Sequence, residues 1–239
     1  MLTIIFEDQW LCAVDKPPRL LTHPSKLYRE PQSCMSLLQA QLGCAVQPTH
    51  RLDRATSGVL LFSKDGATTK ALMGAFERRT VAKEYLAVVR GHAPLALTVD
   101  RALKTPKEYL EPGQAPDQVA AEARTVFTTL AQATLPQAVG PYESARYSLV
   151  RAVPETGRTH QIRRHLNGAS YPIVGDTRYG DGDHNRFFRT HFDCHRMMLH
   201  ASLLRVIHPV SGAALELRAP LSGEYQRVVE ALFGPQILT

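Results

Sequence analysis

Residues 50–62 of the chain read HRLDRATSGVLLF, a polar turn followed directly by an apolar segment. The turn places Asp53 between Arg51 and Arg54, and the apolar segment is typical of a buried strand. Arginines within a few ångströms favour the ionised form of a carboxyl group, so Asp53 is predicted to be charged and ready to act as a nucleophile or base. The same arrangement suits a structural ion pair that fixes the turn, and this stretch taken alone favours the structural role.

The composition combines enough apolar residues for a core with an excess of positive charge. The 239 residues are 44% hydrophobic, and 28 Lys and Arg against 22 Asp and Glu give a net charge of +6. This length and hydrophobic content predict one large domain over residues 1–239. The basic excess suits a polyanionic partner, although many soluble proteins share it.

The cysteines and the apolar segments indicate the cellular compartment of the protein. The four cysteines are Cys12, Cys34, Cys44 and Cys194. They lack C-x-x-C spacing, and reduced thiols are predicted. No apolar run approaches membrane-spanning length, and the N-terminus lacks the features of a signal peptide. The sequence therefore predicts a cytoplasmic protein without a membrane partner.

Periodicity predicts more strands than helices, without the regular strand–helix alternation of a parallel sheet. The predicted strands are Leu2–Phe6 and Leu11–Val14, which form a hairpin, and Gly58–Ser63, Lys83–Gly91, Ala123–Leu130 and Arg146–Val153. The predicted helices are Ser33–Leu42 with Ser33 as N-cap and Gly43 as stop, Ala67–Arg79, and a closing helix over Tyr225–Phe233. We therefore predict an α+β fold in which helices pack around a mixed, mostly antiparallel central sheet.

A second distinctive segment, residues 155–166, reads ETGRTHQIRRHL. Its glycine predicts a turn, and a helix is expected to follow with Thr159 as N-cap. The apolar residues of this helix fall on one face, with Arg163 on the flank of that face and Arg164 nearly opposite. One arginine can therefore point along the edge of the core, and the other can point to solvent.

Three segments together resemble the catalytic motifs of RNA pseudouridine synthases of the RluA type. They are HRLDRATSG at 50–58, KEYLA at 83–87 and GRTHQIR at 157–163, and the resemblance extends from about Leu11 to Pro209. It implies an isomerase that converts a uridine of structured RNA into pseudouridine, in a cleft across the sheet with the aspartate motif at its floor. Because this reaction has no redox step and no group transfer, the resemblance implies no cofactor and no metal.

The resemblance also carries over the catalytic residues, which correspond to Asp53, Tyr85 and Arg163. Asp53 would attack the nucleoside, either at the ribose anomeric carbon or at C6 of uracil. Arg163 would pair with Asp53 and keep its carboxylate ionised. The ring of Tyr85 would lie against the flipped uracil with its hydroxyl near the reacting carbon. A tyrosine in a strand is ordinarily a core residue, so this last role comes from the resemblance alone.

Basic side chains around these motifs are predicted to bind the RNA. Arg51 would fill the gap left by the flipped base and hold phosphates. Arg158 and Arg164 are expected on a basic helix face that meets water or RNA phosphates. The complete predicted set is His50, Arg51, Arg54, Lys83, Arg158 and Arg164.

Within the family, three further segments are most similar to the branch that acts on uridine 65 of tRNA (TruC type). These segments are residues 163–166, residues 175–181 with the nearby residues 185–186, and residues 196–201. The resemblance predicts tRNA as the partner of a monomeric enzyme, with no accessory RNA-binding domain before the catalytic domain. A ribosomal RNA synthase of the same family is the alternative, because both branches share one chemistry.

Two other classes of function are weighed against this one. The first is a non-catalytic RNA-binding or RNA-folding protein on the same scaffold, and the intact Asp53, Tyr85 and Arg163 argue against it. The second is hydrolysis of a glycosidic bond, which usually requires a second carboxylate opposite the first. No such acidic partner stands out in the motifs.

The segment between Gly180 and His200 suggests a metal site, because it contains His184, His191, Cys194 and His195. Structural zinc sites usually arrange such ligands in closely spaced pairs, and this segment does not. It also contains several arginines. A basic loop that faces RNA is therefore predicted, with a metal site as the minor alternative.

Overall fold

The structure of the protein is a computed structural model that describes residues 1–24, 32–110 and 120–238. Its strands are β1 (Thr3–Glu7), β2 (Leu11–Lys16), β3 (Gln47–Pro48), β4 (Ser57–Ser63), β5 (Ala82–Arg90), β6 (Ala96–Asp100), β7 (Arg124–Leu135), β8 (Ala145–Pro154), β9 (Leu199–Ile207) and β10 (Ala214–Arg218). Its α-helices are α1 (Cys34–Leu42), α2 (Gly66–Glu77), α3 (Gln161–Gly168), α4 (Gly182–Phe192) and α5 (Gly223–Phe233).

The predicted α+β fold is confirmed. β4 pairs with β9 in parallel, whereas the pairs β1–β2, β2–β4, β3–β4, β6–β7, β7–β8 and β9–β10 are antiparallel. The sheet is therefore mixed and mostly antiparallel, as the sequence predicts. Among the helices of the described residues, none combines the length and the hydrophobicity that crossing a bilayer requires.

The chain divides into two compact units, each built from two separate stretches of sequence. The first unit contains residues Met1–Tyr85 and Leu199–Gly223, and the second contains Leu86–Met198 and Glu224–Thr239. Both units carry residues that the sequence assigns to the site. The prediction of one catalytic domain over residues 1–239 stays a prediction.

In the first unit, β4 lies inside the sheet, in the order β1-β2-β4-β9, and both of its faces are buried. Leu60 and Phe62 belong to the core cluster on one face, which also takes in residues of α1. Val59 and Leu61 belong to the cluster on the other face, which takes in Leu72 of α2. Since successive residues of a strand point to opposite faces, a strand covered on both sides reads as the continuous apolar run seen in the sequence.

The second unit contains the antiparallel strands β6, β7 and β8, of which the last two pair over ten register positions with one irregularity. Helix α4 occupies most of the segment that was predicted to be a basic loop, and that prediction is wrong. Asp181 caps α4 by accepting the N–H groups of Asp183 and His184, and Phe188 on the helix is buried. The short polar cap and a single buried face are therefore enough to make this segment helical.

Helix α3 also departs from the sequence prediction at its first turn. Its N-cap is His160, in the left-handed conformation at φ 55°, and not Thr159. Among the described residues no side chain caps this helix, and the Gln161 side chain instead fixes the turn before it, because its Oε1 accepts the Arg158 N–H at 3.0 Å and the Thr156 hydroxyl at 2.6 Å.

Replacing Gly58 with alanine is expected to destabilise the protein strongly. Gly58 has φ +110°, and a Cβ placed on it would lie 2.2 Å from the backbone oxygen of Ala201 on β9. Strained backbone and the displacement of a paired strand together predict a loss of about 3 kcal/mol or more in the free energy of unfolding, measured by thermal or urea denaturation. Gly66→Ala is the control, since nothing lies within 4 Å of its Cβ, and equal stability of both variants would contradict the expectation.

Candidate active site

The loop that carries Asp53 joins β3 to β4 and is fixed on both sides of the aspartate. Before it, the buried Thr22 hydroxyl accepts the Leu52 N–H at 3.2 Å and donates to the Leu52 carbonyl oxygen at 3.0 Å. After it, the Thr56 N–H donates to the Asp53 carbonyl oxygen at 3.0 Å and closes a tight turn. Leu52 is buried, whereas Asp53 is half-buried. The loop therefore holds Asp53 on a rigid backbone and leaves its side chain within reach of solvent.

A buried lysine at the end of β2 ties this loop to the sheet. The Lys16 side chain is fully buried, and its Nζ donates to the carbonyl oxygens of Pro17 at 2.9 Å, Leu20 at 2.7 Å and Arg54 at 3.3 Å. A buried ammonium group is costly unless it is hydrogen-bonded, and these carbonyls replace the water that it loses. The bond to Arg54 fixes the residue directly after Asp53.

Tyr85 lies in the same unit as Asp53, on β5. Its half-buried ring packs against the core cluster that includes Leu52 and Phe62. Burial raises the pKa of the Tyr85 hydroxyl well above its ordinary value, and the negative charge of Asp53 raises it further. The structure therefore brings these two predicted catalytic residues together, with the phenol protonated at neutral pH.

Arg163 lies in the second unit, on α3, where it forms a buried ion pair with Asp176. Its Nε donates to Asp176 Oδ2 at 2.7 Å and its Nη2 to Oδ1 at 2.9 Å, and the two residues are 7% and 1% exposed. Its guanidinium carbon also lies 5.1 Å from the ring centroid of Tyr179. Two parallel bonds of this kind fix the plane of a guanidinium group as well as its position. The predicted pairing of Arg163 with Asp53 stays a prediction.

The environment of Asp176 keeps its carboxylate ionised. Burial alone would raise the pKa of Asp176, but the bonds and charge of Arg163 and the N–H groups of Tyr179 and Arg178 outweigh it, and the pKa lies below its ordinary value. The Asn185 side chain on α4 donates to the Asp176 carbonyl oxygen at 2.9 Å. Helix α4 thus holds the segment that orients Arg163.

A comparison of the sequence with known protein families shows which family the chain belongs to. Residues 11–168, which are more than half of the chain, match the family described as RNA pseudouridylate synthase. The chain belongs to that family. The predicted isomerase activity on RNA and the RluA-type assignment are thereby confirmed.

Individual relatives of this pseudouridylate synthase agree with the family match. It is 44% identical over 235 residues to "tRNA pseudouridine synthase C" of Pectobacterium carotovorum subsp. carotovorum, covering 96% of this chain but only 61% of that relative. It is 42% identical over 228 residues to the protein of the same name from Vibrio cholerae, covering 95% and 93%. Among solved structures, the human RNA pseudouridylate synthase domain containing 1 is 26% identical with a TM-score of 0.72, covering 92% of this chain and 84% of the other.

The basic residues predicted to bind RNA in the first unit of the synthase differ in environment. Arg51 is exposed, and Arg54 and Lys83 are half-buried. Burial lowers the pKa of Lys83. Burial, helped by the charge of Lys83, lowers the pKa of His50 to about 3, so this imidazole is neutral. Its Nε2 accepts the Leu61 N–H at 3.2 Å. A contact of His50 with RNA stays a prediction, and it would not be an ionic one.

The two predicted RNA-binding arginines of the second unit are tied to backbone oxygens. Arg158 is exposed, and its Nε donates to the Glu122 carbonyl oxygen at 3.0 Å. Arg164 is half-buried, and its Nη1 donates to the Lys104 carbonyl oxygen at 2.8 Å. Each guanidinium group keeps further N–H donors beyond the one used here, so these bonds orient the arginines without occupying them fully.

The histidines and the cysteine that suggested a metal site are not gathered in the synthase. Within the parts of the chain that the structure describes, no three His, Cys, Asp or Glu side chains are placed to hold a metal ion. His184 bonds to the Tyr147 hydroxyl, and His195 bonds to Asp193. The Cys194 thiol contacts the sulfur of Met198 at 3.5 Å.

Sequence reasoning missed two contacts of the predicted site residues: Lys16 anchors the Asp53 loop, and Asp176 pairs with Arg163. The pattern of the sequence contains both residues, since Lys16 directly precedes two prolines and Asp176 lies in the GDTRYG segment. Their partners, however, are 38 residues away for Lys16 with Arg54 and 13 residues away for Asp176 with Arg163. A local sequence pattern does not specify contacts between residues this far apart. The identities of Lys16 and Asp176 therefore did not reveal what they bind.

Proposed function

We propose that the chain isomerises a uridine of tRNA to pseudouridine with Asp53 as the nucleophile. The observation that carries the proposal is the rigid loop that presents Asp53 beside the protonated hydroxyl of Tyr85. A carboxylate on a fixed backbone next to a flat aromatic ring suits attack on a flipped base, which needs a surface to stack on.

The reaction requires two bond exchanges and a proton transfer. Asp53 attacks either C1′ of the ribose or C6 of uracil, and the N1–C1′ bond breaks. The uracil then turns and C5 forms a bond to C1′. The bond between Asp53 and the nucleoside breaks, which restores the free carboxylate, and the C5 proton leaves while N1 gains a proton. No atom is gained or lost overall, so a fixed nucleophile and a shaped pocket provide the main elements of catalysis.

The state of the Tyr85 hydroxyl limits its part in this reaction. A phenol that holds its proton cannot accept the C5 proton directly. It can donate a hydrogen bond to a carboxylate or carbonyl oxygen of the intermediate, and it can take up the C5 proton only after passing its own proton on. We therefore assign Tyr85 to stacking and hydrogen bonding first, and to proton removal only as part of a relay.

The surrounding basic residues provide the electrostatic attraction for RNA. We propose that Arg51, exposed next to Leu52, enters the space left by the flipped nucleotide, and that Arg54 and Lys83 contact the adjacent phosphates. Arg158 and Arg164, which belong to the second unit, would also contact RNA phosphates. His50 would act by fixing the loop, because it is neutral and bonded to Leu61.

The names of the relatives support tRNA as the substrate. The two bacterial relatives are each named "tRNA pseudouridine synthase C". The likeness of residues 163–166, 175–181, 185–186 and 196–201 to the uridine-65 branch supports that position in particular. We further propose a monomeric enzyme of the cytoplasm that needs neither metal nor cofactor.

Mapping of pseudouridine in cells with and without the protein is expected to show the loss of one signal in tRNA. The measurement is carbodiimide labelling followed by primer extension on total tRNA and ribosomal RNA, with plasmid-borne wild-type protein restoring the signal. Loss at uridine 65 would support both the chemistry and the substrate. Loss in ribosomal RNA alone would overturn the tRNA assignment, and free uracil or an abasic site would indicate hydrolysis.

A further inference from the structure

The second unit contains a cavity that the three catalytic motifs do not line. Its volume is about 350 Å³, within the range of small-ligand sites in proteins. It is formed where the end of β5, the start of β8, the segment after α3 and the first turn of α4 meet. Its polar and aromatic lining includes Arg90, Tyr142, Arg146, Tyr171 and His184.

Two arginines give the cavity a net positive charge. Arg90 donates to Asp181 at 3.0 Å, so one carboxylate offsets its charge. Arg146 is exposed, and its side chain makes no hydrogen bond or ion pair to any residue that the structure describes. An arginine without a partner presents its whole planar fork to an anion, and this geometry matches phosphate. Arg146 is therefore the main anion-binding group of the cavity.

His184 adds a neutral donor to the wall. This residue is 5% exposed, and its Nδ1 lies 2.8 Å from the Tyr147 hydroxyl. Burial raises the pKa of Tyr147 and lowers the pKa of His184, so both groups are neutral. The Tyr147 hydroxyl therefore donates to Nδ1 of His184, and the imidazole proton of His184 is on Nε2. That nitrogen has no partner among the described residues and is left as a donor for a ligand.

Two tyrosines supply flat surfaces next to these donors. Tyr142 is 51% exposed, which is high for a large side chain, and the Arg90 guanidinium lies 5.8 Å from its ring centroid. Tyr171 is half-buried, and its ring lies against Gly91, where a Cβ would approach it to 3.4 Å. Aromatic rings beside a cationic groove are the usual means by which proteins bind unpaired nucleotides.

We propose that this cavity binds one nucleotide of the RNA substrate other than the reacting uridine. Its phosphate contacts Arg146 and the Nε2–H of His184, and its base stacks on Tyr142. The ligand class rests on the proposed function, since RNA is the polyanion that this enzyme acts on. The cavity adds affinity and substrate choice and takes no part in the bond exchange.

Arg146→Gln is expected to weaken RNA binding about tenfold. The magnitude of the slope of the logarithm of the binding constant against the logarithm of the salt concentration should fall by about one, as expected for the loss of one phosphate contact. Tyr142→Ala is expected to weaken it by a similar factor through lost stacking. The probe is an unmodified tRNA transcript, and its dissociation constant is measured at several salt concentrations with the full chain. Arg189→Gln is the matched control, because Arg189 is exposed on α4, has no side-chain partner among the described residues and does not line the cavity.

The rate of pseudouridine formation in a single turnover at saturating RNA separates this proposal from the proposed function. Unchanged saturated rates together with weaker binding by both cavity variants support the cavity site. Equal binding by Arg146→Gln and Arg189→Gln overturns it. Binding of free uridine monophosphate that depends on Arg146, with RNA binding unaffected, also overturns it in favour of a small-molecule site. If the wild-type protein modifies no RNA, the proposed function fails, while the binding comparison still reports on the cavity.

Discussion

Asp53→Asn is expected to lower the rate of pseudouridine formation by at least about a thousandfold. The amide matches the carboxylate in shape but is a far weaker nucleophile and carries no charge, so the bond to the nucleoside does not form. The backbone bonds that fix the loop through Thr22 and Thr56 do not involve the Asp53 side chain. The variant should therefore fold normally and bind RNA with an affinity within a few-fold of the wild-type value. Single-turnover kinetics on a tRNA transcript measure the rate.

Asp100→Asn is the matched control for this experiment. Asp100 is an exposed carboxylate at the end of β6, with Arg124 4.0 Å away, and its conversion should leave both rate and binding unchanged. A rate for Asp53→Asn near that of the control would show that Asp53 is not the nucleophile. Loss of RNA binding together with a lowered melting temperature would show that its role is the structural one.

Arg163→Met is expected to destabilise the protein by about 3–5 kcal/mol at neutral pH. Methionine fills much of the same volume but leaves the Asp176 carboxylate, which is 1% exposed, without its counter-charge. Thermal or urea denaturation measures the loss. The double variant Arg163→Met with Asp176→Asn should recover most of it, because asparagine removes the charge and keeps an oxygen for the N–H groups of Arg178 and Tyr179.

The loss caused by Arg163→Met should also depend on pH. The folded-state pKa of Asp176 lies below its ordinary value of 3.8, so the pair contributes stability above that value and loses it as the pH falls through the folded-state pKa. In the single variant the lone buried carboxyl has a raised pKa and becomes protonated earlier in an acid titration. The difference in the free energy of unfolding between Arg163→Met and the wild type should therefore become smaller below about pH 5. A difference that stays constant between pH 7 and pH 4 would contradict the role of the pair.

The parts of the fold that local rules control are the parts that the sequence predicted well. Ser33 and Gly43 bound α1 as expected, because a hydroxyl cap and a left-handed glycine at φ 68° are local signals. The apolar run of β4 predicted a buried strand because both of its faces are covered. Helix α4 was missed because charged and aromatic residues dominate its composition. Its helical character is indicated only by its N-cap and its buried face.

Sequence motifs single out individual residues of the candidate site, but they do not indicate which distant residues contact them. The HRLDRATSG and KEYLA segments point to Asp53 and Tyr85 only through their resemblance to family motifs, and the catalytic roles of both residues stay predictions. The anchoring role of Lys16 and the pairing of Arg163 with Asp176 depend on which backbone the fold brings near them. Such contacts are products of tertiary structure, and a pattern of residue types along the chain does not contain them.

The discontinuous first unit imposes an order of events on the synthesis of the protein. The Ser57 hydroxyl, at the start of the strand that follows the Asp53 loop, bonds to Nδ1 of His200 at 2.7 Å across 143 positions of sequence. Ribosomes add about 5–20 residues per second, so roughly 7–30 s separate the two ends of this contact. During that interval β4 lacks its parallel neighbour and exposes an apolar edge that is prone to wrong pairing. A nascent chain therefore cannot complete the strand that follows the Asp53 loop until more than four fifths of these 239 residues have been synthesised.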